Sequence, residues 1–156
     1  MTLPADVLFE SAASVLAAAG IGAGSRVCCA LSGGADSVVL FELLRRLQPR
    51  FGFSLLAAHV DHGLSPNAAA WARACAERCA AAGISLHVFR VEVDRGCADG
   101  LEAAARAARH AALVRVPCDW LAFGHHQDDQ AETLLFRLLR GSGVRGAAAM
   151  RAMEAG

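Results

Sequence analysis

Arg26-Val27-Cys28-Cys29-Ala30-Leu31-Ser32-Gly33-Gly34-Ala35-Asp36-Ser37 decides the fold of this chain. Its first half is a short, nearly continuous apolar run, the pattern of a strand buried on both faces of a parallel sheet. Its second half is a glycine turn that opens a helix. Two glycines let the backbone approach an anion closely, and a helix N-terminus presents free N–H groups at the positive end of its dipole. Ser32 and Ser37 add hydroxyl groups. A phosphate is the expected ligand. Asp36 alone would repel it, which implies a Mg²⁺ ion bridging carboxylate and phosphate.

Outward from this stretch the same unit recurs. Before it, about Pro4 to Ala19 predicts a helix, broken by Gly20, Gly22 and Gly24. After the strand Arg26–Leu31, a helix is expected from about Ser37 to Leu47, stopping before Pro49. Leu55–Val60 reads as a strand, with Ser65 as N-cap and Pro66 as first position of a helix that reaches about Ala82 and closes at Gly83. Ser85–Val93 is the next strand, Leu101 to about Val114 an alanine-rich helix, and Trp120–Phe123 a strand. A last helix is expected over about Asp128–Arg140, ending at Gly141. Alternating strands and helices predict an α/β fold: a Rossmann-like, doubly wound parallel sheet of about five strands with helices on both faces. The tail 141–156 is rich in glycine and alanine and holds no closing element. One domain over 1–156, truncated at its C-terminal end, is the expectation.

Composition limits the function. With 156 residues and 55% hydrophobic content, the chain is long and apolar enough for one cored domain. Fifteen basic residues balance fifteen acidic ones, so no strongly basic face is implied by net charge. Every basic residue is arginine; the absence of lysine excludes a lysine nucleophile, a Schiff base and a Walker-type phosphate lysine within this chain. The longest uncharged stretch, Ser11–Ser25, is shorter than the ~18–20 apolar residues of a membrane span, and the N-terminus lacks a leader pattern. A cytoplasmic protein without membrane contact is expected. Cys28, Cys29, Cys75, Cys79, Cys97 and Cys118 form no Cys-x-x-Cys pair. They read as reduced thiols serving as small hydrophobes.

Two further motifs fall at strand ends, where such sheets bind ligands. His59-Val60-Asp61-His62-Gly63-Leu64 ends the second strand. His59, Asp61 and His62 either frame a nucleotide or hold a metal; alternatively His59 is a buried, hydrogen-bonded residue and Asp61 a turn-former. Gly124-His125-His126-Gln127-Asp128-Asp129-Gln130-Ala131-Glu132-Thr133 leads from the fourth strand into the last helix. Its acidic residues suit a helix N-terminus, and Asp129 and Glu132 would share one face.

Ser-Gly-Gly-x-Asp-Ser resembles the signature of the PP-loop ATP pyrophosphatases. Together with His59–Leu64, Gly124–Thr133 and Arg137-Leu138-Leu139-Arg140-Gly141-Ser142-Gly143, it resembles the tRNA(Ile)-lysidine synthetase family within that superfamily. The likeness runs from about Arg26 to Met150. Two positions depart from it: Ser65 stands where many members have Arg, and His110 where many have an aromatic residue.

The resemblance implies that Ser32, Gly33, Gly34, Ala35, Asp36 and Ser37 grip ATP, with Asp36 on Mg²⁺ and His59, Asp61 and His62 nearby. It implies an enzyme, an ATP-dependent carbon–nitrogen ligase. The C2 oxygen of the wobble cytidine of tRNA(Ile) attacks the α-phosphorus of ATP, releasing PPi. The ε-amine of L-lysine then attacks C2 and expels AMP. Arg106 and Arg109 would meet the α-phosphate or the adenylated base, although paired arginines are otherwise a solvated face. His125 would act on the α-phosphate or carry a proton, and Asp129 and Glu132 would hold the lysine amine. Arg137, Arg140, Arg145 and Arg151 would meet tRNA phosphates. Two alternatives remain beside this one: another PP-loop enzyme such as a tRNA 2-thiolation enzyme, and a non-catalytic ATP-binding module.

Overall fold

Apolar runs and glycine breaks along the chain become alternating strands and helices in the computed structural model, which describes residues 5–126, 134–140 and 152–154. The elements are α1 (Ala5–Ala18), β1 (Arg26–Ala30), α2 (Ala35–Phe51), β2 (Ser54–Asp61), α3 (Ala68–Ala82), β3 (Leu86–Arg90), α4 (Leu101–Leu113), β4 (Trp120–His126), β5 (Leu134–Arg140) and β6 (Ala152–Glu154). The sheet runs β3-β2-β1-β4-β5-β6. β3, β2, β1 and β4 are parallel; β5 is antiparallel to β4, and β6 to β5.

Neighbouring residues of β1 point to opposite faces, and each face has its own core. Val27 and Cys29 pack with Leu16 of α1, Leu40, Phe41, Leu44 and Leu47 of α2, and Cys75 and Cys79 of α3. Cys28 joins Ala58, Val60, Leu121 and Phe123 against Ala112 and Leu113 of α4. The expected helices on both faces are therefore present. Chain order reverses between β1 and β4, so the crevice at their carboxyl ends is the place such a sheet offers a ligand.

Several boundaries differ from the sequence expectation. α2 continues through Pro49 to Phe51. A proline this near the end removes one helical N–H, while Gly52 in the left-handed conformation (φ 77°) caps the helix by donating its N–H to Gln48 O at 2.8 Å. Arg50 in that last turn also pairs with Glu10 of α1. α3 begins at Ala68 instead of Pro66, because Ser65 closes a turn first: its hydroxyl accepts from Asn67 N–H and its carbonyl from Ala68 N–H. β4 extends to His126, so Gly124, His125 and His126 lie on the strand.

The largest correction concerns the last expected helix. Residues 128–133 lie outside the described residues, and Leu134–Arg140 is a strand, paired along β4 from His126↔Leu134 to Trp120↔Arg140. A seven-residue run of leucine, phenylalanine and arginine fits either period, and pairing with the β4 edge decides it. Among the described residues the sheet accordingly has six strands, four of them parallel.

Candidate functional site

The turn after β1 is held by its own serines. Ser37 is buried (3% exposed) in the first turn of α2. Its hydroxyl donates to Gly34 O at 2.8 Å and accepts from Ser32 Oγ at 3.0 Å and Gly33 N–H at 3.2 Å. Ser32 Oγ in turn accepts from Gly34 N–H at 3.3 Å. Ala35, Asp36 and Ser37 occupy the helix start, where backbone N–H groups lack intrahelical acceptors. The dipole there favours an anion.

Two glycines are required by close approach. Gly33 has φ +93°, and an added Cβ would sit 3.2 Å from Trp71 Cβ and 3.6 Å from Cys75 Sγ, so α3 lies directly against the turn. On the other side, a Cβ at Gly124 would fall 2.9 Å from Asp36 O and 3.3 Å from Ser37 N. The end of β4 thus presses on the backbone at the start of α2, and the turn is clamped between α3 and β4.

His59 anchors the turn's entrance from β2. Its ring is buried (3% exposed), with Nδ1 2.8 Å from Leu31 O. A carbonyl only accepts, so Nδ1 carries the proton and donates. The Cys75 thiol also reaches Leu31 O, at 3.6 Å. Asp61 accepts the Gly63 N–H at 2.8 Å, and Gly63 has φ +62°. Both bland expectations for this motif, a hydrogen-bonded histidine and a turn-forming aspartate, therefore describe real contacts, and both residues still line the crevice.

That crevice encloses a cavity of about 260 Å³. Ser32, Gly34 and Ser37 line it from the turn, His59, Asp61 and His62 from β2 and its exit, and Arg109 from α4. Ala30, Ala58, Val60, Leu113 and Phe123 supply an apolar wall. The Arg109 guanidinium has its pKa lowered, by burial first and the Arg106 charge second. No carboxylate pairs with it among the described residues. An anion in the cavity would relieve both effects.

Gly33, Ala35, Asp36 and Arg106 stand outside the cavity lining, although the first three belong to the turn that borders it. Arg106 is exposed, so the expected arginine pair divides into one cavity residue and one surface residue. His125 lies on β4 next to Gly124, and its side chain is not among those described. Asp129, Glu132, Arg145 and Arg151 lie outside the described residues. Trp71 was not singled out from the sequence, and Gly124 only as the first residue of the third motif, with no role of its own. A glycine inside a strand and immediately before two histidines is the signal that marks Gly124; Trp71, 44% exposed beside the turn, has no signal beyond its size.

All six cysteines are free, and all but Cys97 are buried. Burial pushes the Cys75 thiol up and Cys79 up to about 11. Among the described residues, no three His, Cys, Asp or Glu side chains converge on a metal position. No helix among them is long and apolar enough to cross a membrane.

The PP-loop domain family matches residues 9–156. The chain belongs to this family. Among relatives, the tRNA(Ile)-lysidine synthase of Azoarcus sp. (strain BH72) is 67% identical over 144 residues, covering 92% of this chain and 32% of that protein. The protein of the same name from Aromatoleum aromaticum is 66% identical, over 91% of this chain and 34% of that protein; the one from Xanthomonas campestris pv. campestris (strain 8004) is 53% identical, over 80% and 29%. This PP-loop chain spans about a third of the length of the curated relatives it matches. A solved structure, the U34-tRNA thiolase NcsA from Methanococcus maripaludis with its 4Fe-4S cluster, shares the fold with a TM-score of 0.67 at 23% identity, over 76% of this chain and 43% of that one. The PP-loop domain supports ATP as the bound nucleotide.

Proposed function

We propose that this chain is the ATP-binding part of a tRNA(Ile)-lysidine synthase, a ligase that joins L-lysine to the wobble cytidine of tRNA(Ile). The observation that carries it is the Ser32–Ser37 turn, opening onto a cavity at the strand-order reversal, in a chain 67% identical to a protein of that name. Identity of 67% to a protein of that name favours this reading over the 2-thiolation alternative, whose solved neighbour shares the fold at 23% identity.

In this reading the first-turn N–H groups of α2 receive the β- and γ-phosphates. A hard cation the size of Mg²⁺ takes one or two carboxylates and completes its shell with phosphate and water, and Asp36 at the start of α2 offers a single carboxylate beside the phosphate position. Bound there, the ion would neutralise charge on the departing pyrophosphate. Arg109 faces the cavity and stabilises negative charge at the α-phosphate. The apolar wall of Ala30, Ala58, Val60, Leu113 and Phe123 takes the base. His125, next to Gly124 on β4, is assigned to act on the α-phosphate or to carry a proton. Asp129 and Glu132 receive the lysine ammonium and accept its proton as the amine attacks C2.

The test supplies α-labelled ATP, Mg²⁺, lysine and an isoleucine tRNA transcript with a wobble cytidine. The expected products are labelled AMP, PPi and lysine-bearing tRNA. Labelled ADP with inorganic phosphate, or PPi release indifferent to the wobble base, would overturn the proposal.

A further inference from the structure

The turn offers an anion fewer donors than its composition suggests. The Ser37 hydroxyl is committed to Gly34 O and the Ser32 hydroxyl to Ser37 Oγ, while the Gly33 and Gly34 N–H groups are taken by those same serine oxygens. Val38 N–H closes on Gly34 O. The N–H groups of Ala35, Asp36 and Ser37 remain, fewer than the oxygens of a β,γ-diphosphate. The chain has no lysine to add, and Arg109 stands across the cavity on α4, on the other face of the sheet from α3.

Uncommitted side-chain donors border the turn from the segment that leads into α3. Ser65 Oγ accepts from Asn67 N–H, and its own O–H has no acceptor among the described residues. Trp71, in the first turn of α3, lines the cavity and is half-exposed. It is rooted on the turn: a Cβ at Gly33 would meet Trp71 Cβ at 3.2 Å and Cγ at 3.5 Å. α3 meets the core through Cys75 and Cys79, so this ring is not its anchor. The indole N–H has no acceptor among the described residues. An anion meets the positive edge of an aromatic ring rather than its face, and in indole that edge carries the N–H.

We propose that Trp71 and Ser65 are binding residues for pyrophosphate, donating Nε1–H and O–H to oxygens of the β- and γ-phosphates. The proposal rests on the reading that the Ser32–Ser37 turn holds those phosphates. An attacking group approaches the α-phosphorus in line with the departing pyrophosphate and from the opposite side. A ring rooted on the turn therefore meets the leaving group and not the attacking base.

The experiment follows binding of PPi, ATP and AMP, each with Mg²⁺, by calorimetry and by tryptophan emission. Trp71→Phe keeps a ring on Gly33 and removes the N–H. It should weaken PPi and ATP by about tenfold or more and leave AMP within about twofold. Ser65→Ala should weaken PPi and ATP by roughly two- to tenfold. Wild-type emission should change on adding PPi and not on adding AMP, and Trp71→Phe, in which Trp120 alone emits, should lose the response. Thermal melting reports on the folding of each variant, and the wild-type emission stands whatever the variants do. Wild-type affinity for PPi in Trp71→Phe would overturn the proposal, since packing on Gly33 needs no N–H. A parallel loss of AMP, or PPi binding that leaves wild-type emission unchanged, would overturn it too, with the turn still holding phosphate. Failure of PPi to displace ATP would overturn the underlying reading, and this proposal with it.

Discussion

Gly124→Ala tests how tightly β4 is fitted to the phosphate turn. Gly124 has an ordinary backbone conformation, so alanine adds no strain of its own. The methyl carbon would lie 2.9 Å from Asp36 O and 3.1 Å from Asp36 C, against 3.7 Å for the nearest atom to a Cβ at Gly22. That is about half an ångström or more inside van der Waals contact, and the obstacle is backbone, which has no rotamer to yield. Overpacking of this kind costs about 1–3 kcal/mol. If the strain appears as stability, melting falls by about 2–4 °C per kcal/mol for a domain near this size. If α2 shifts instead, the same strain weakens ATP binding by roughly 5- to 150-fold. Melting and ATP affinity measured together capture both routes, and Gly22→Ala is the control, with neither quantity moving beyond about 0.5 kcal/mol. A Gly124→Ala protein indistinguishable from that control in both assays would refute the clamp.

Asp36→Ala should abolish the Mg²⁺ dependence of ATP binding while leaving the melting temperature nearly unchanged; binding that still responds to Mg²⁺ would remove Asp36 from the metal site. Cys97 should be the first thiol to react with an exposed-thiol reagent at neutral pH, the five buried cysteines following only on unfolding. Because burial raises the Cys75 and Cys79 thiols, up to about 11 for Cys79, stability should be level below about pH 8.5, where both states hold their protons, and fall above it as the unfolded chain ionises first. A melting temperature that rises from pH 8 to 10 would contradict this. Glu132→Gln should raise the lysine KM by roughly 10- to 150-fold, the loss of one charge-assisted hydrogen bond, with first-turnover PPi release near normal. Failed PPi release with intact lysine affinity would move Glu132 to the ATP–metal site.

β1, the glycine turn and α2 were readable in the sequence because each level agrees: a buried apolar run, two glycines and an amphipathic helix in direct succession. Gly83 likewise closes α3 where its left-handed conformation requires. The limits were local conflicts settled by tertiary contact. Pro49 signals a helix end, yet a cap at Gly52 and the Arg50–Glu10 pair carry α2 past it. Leu134–Arg140 has helix-forming residues, and the β4 edge recruits it as a strand. In the site, residue types marked His59 and Arg109 but not their difference in role: only packing shows that one Arg106/Arg109 partner faces the cavity and the other solvent. Trp71 could not be found from the sequence, since its place depends on α3 crossing over Gly33.

Displacement of ATP by pyrophosphate tests the central claim most directly. If the start of α2 and its glycine turn hold the β- and γ-phosphates, PPi with Mg²⁺ should compete with ATP for a single site. AMP, which lacks those phosphates, should compete far less well, and Gly33→Val, which drives a side chain into Trp71, should lose ATP and PPi together. Displacement by AMP as strong as by PPi, or ATP binding unchanged by Gly33→Val, would contradict the assignment of the Ser32–Ser37 turn as the pyrophosphate cradle.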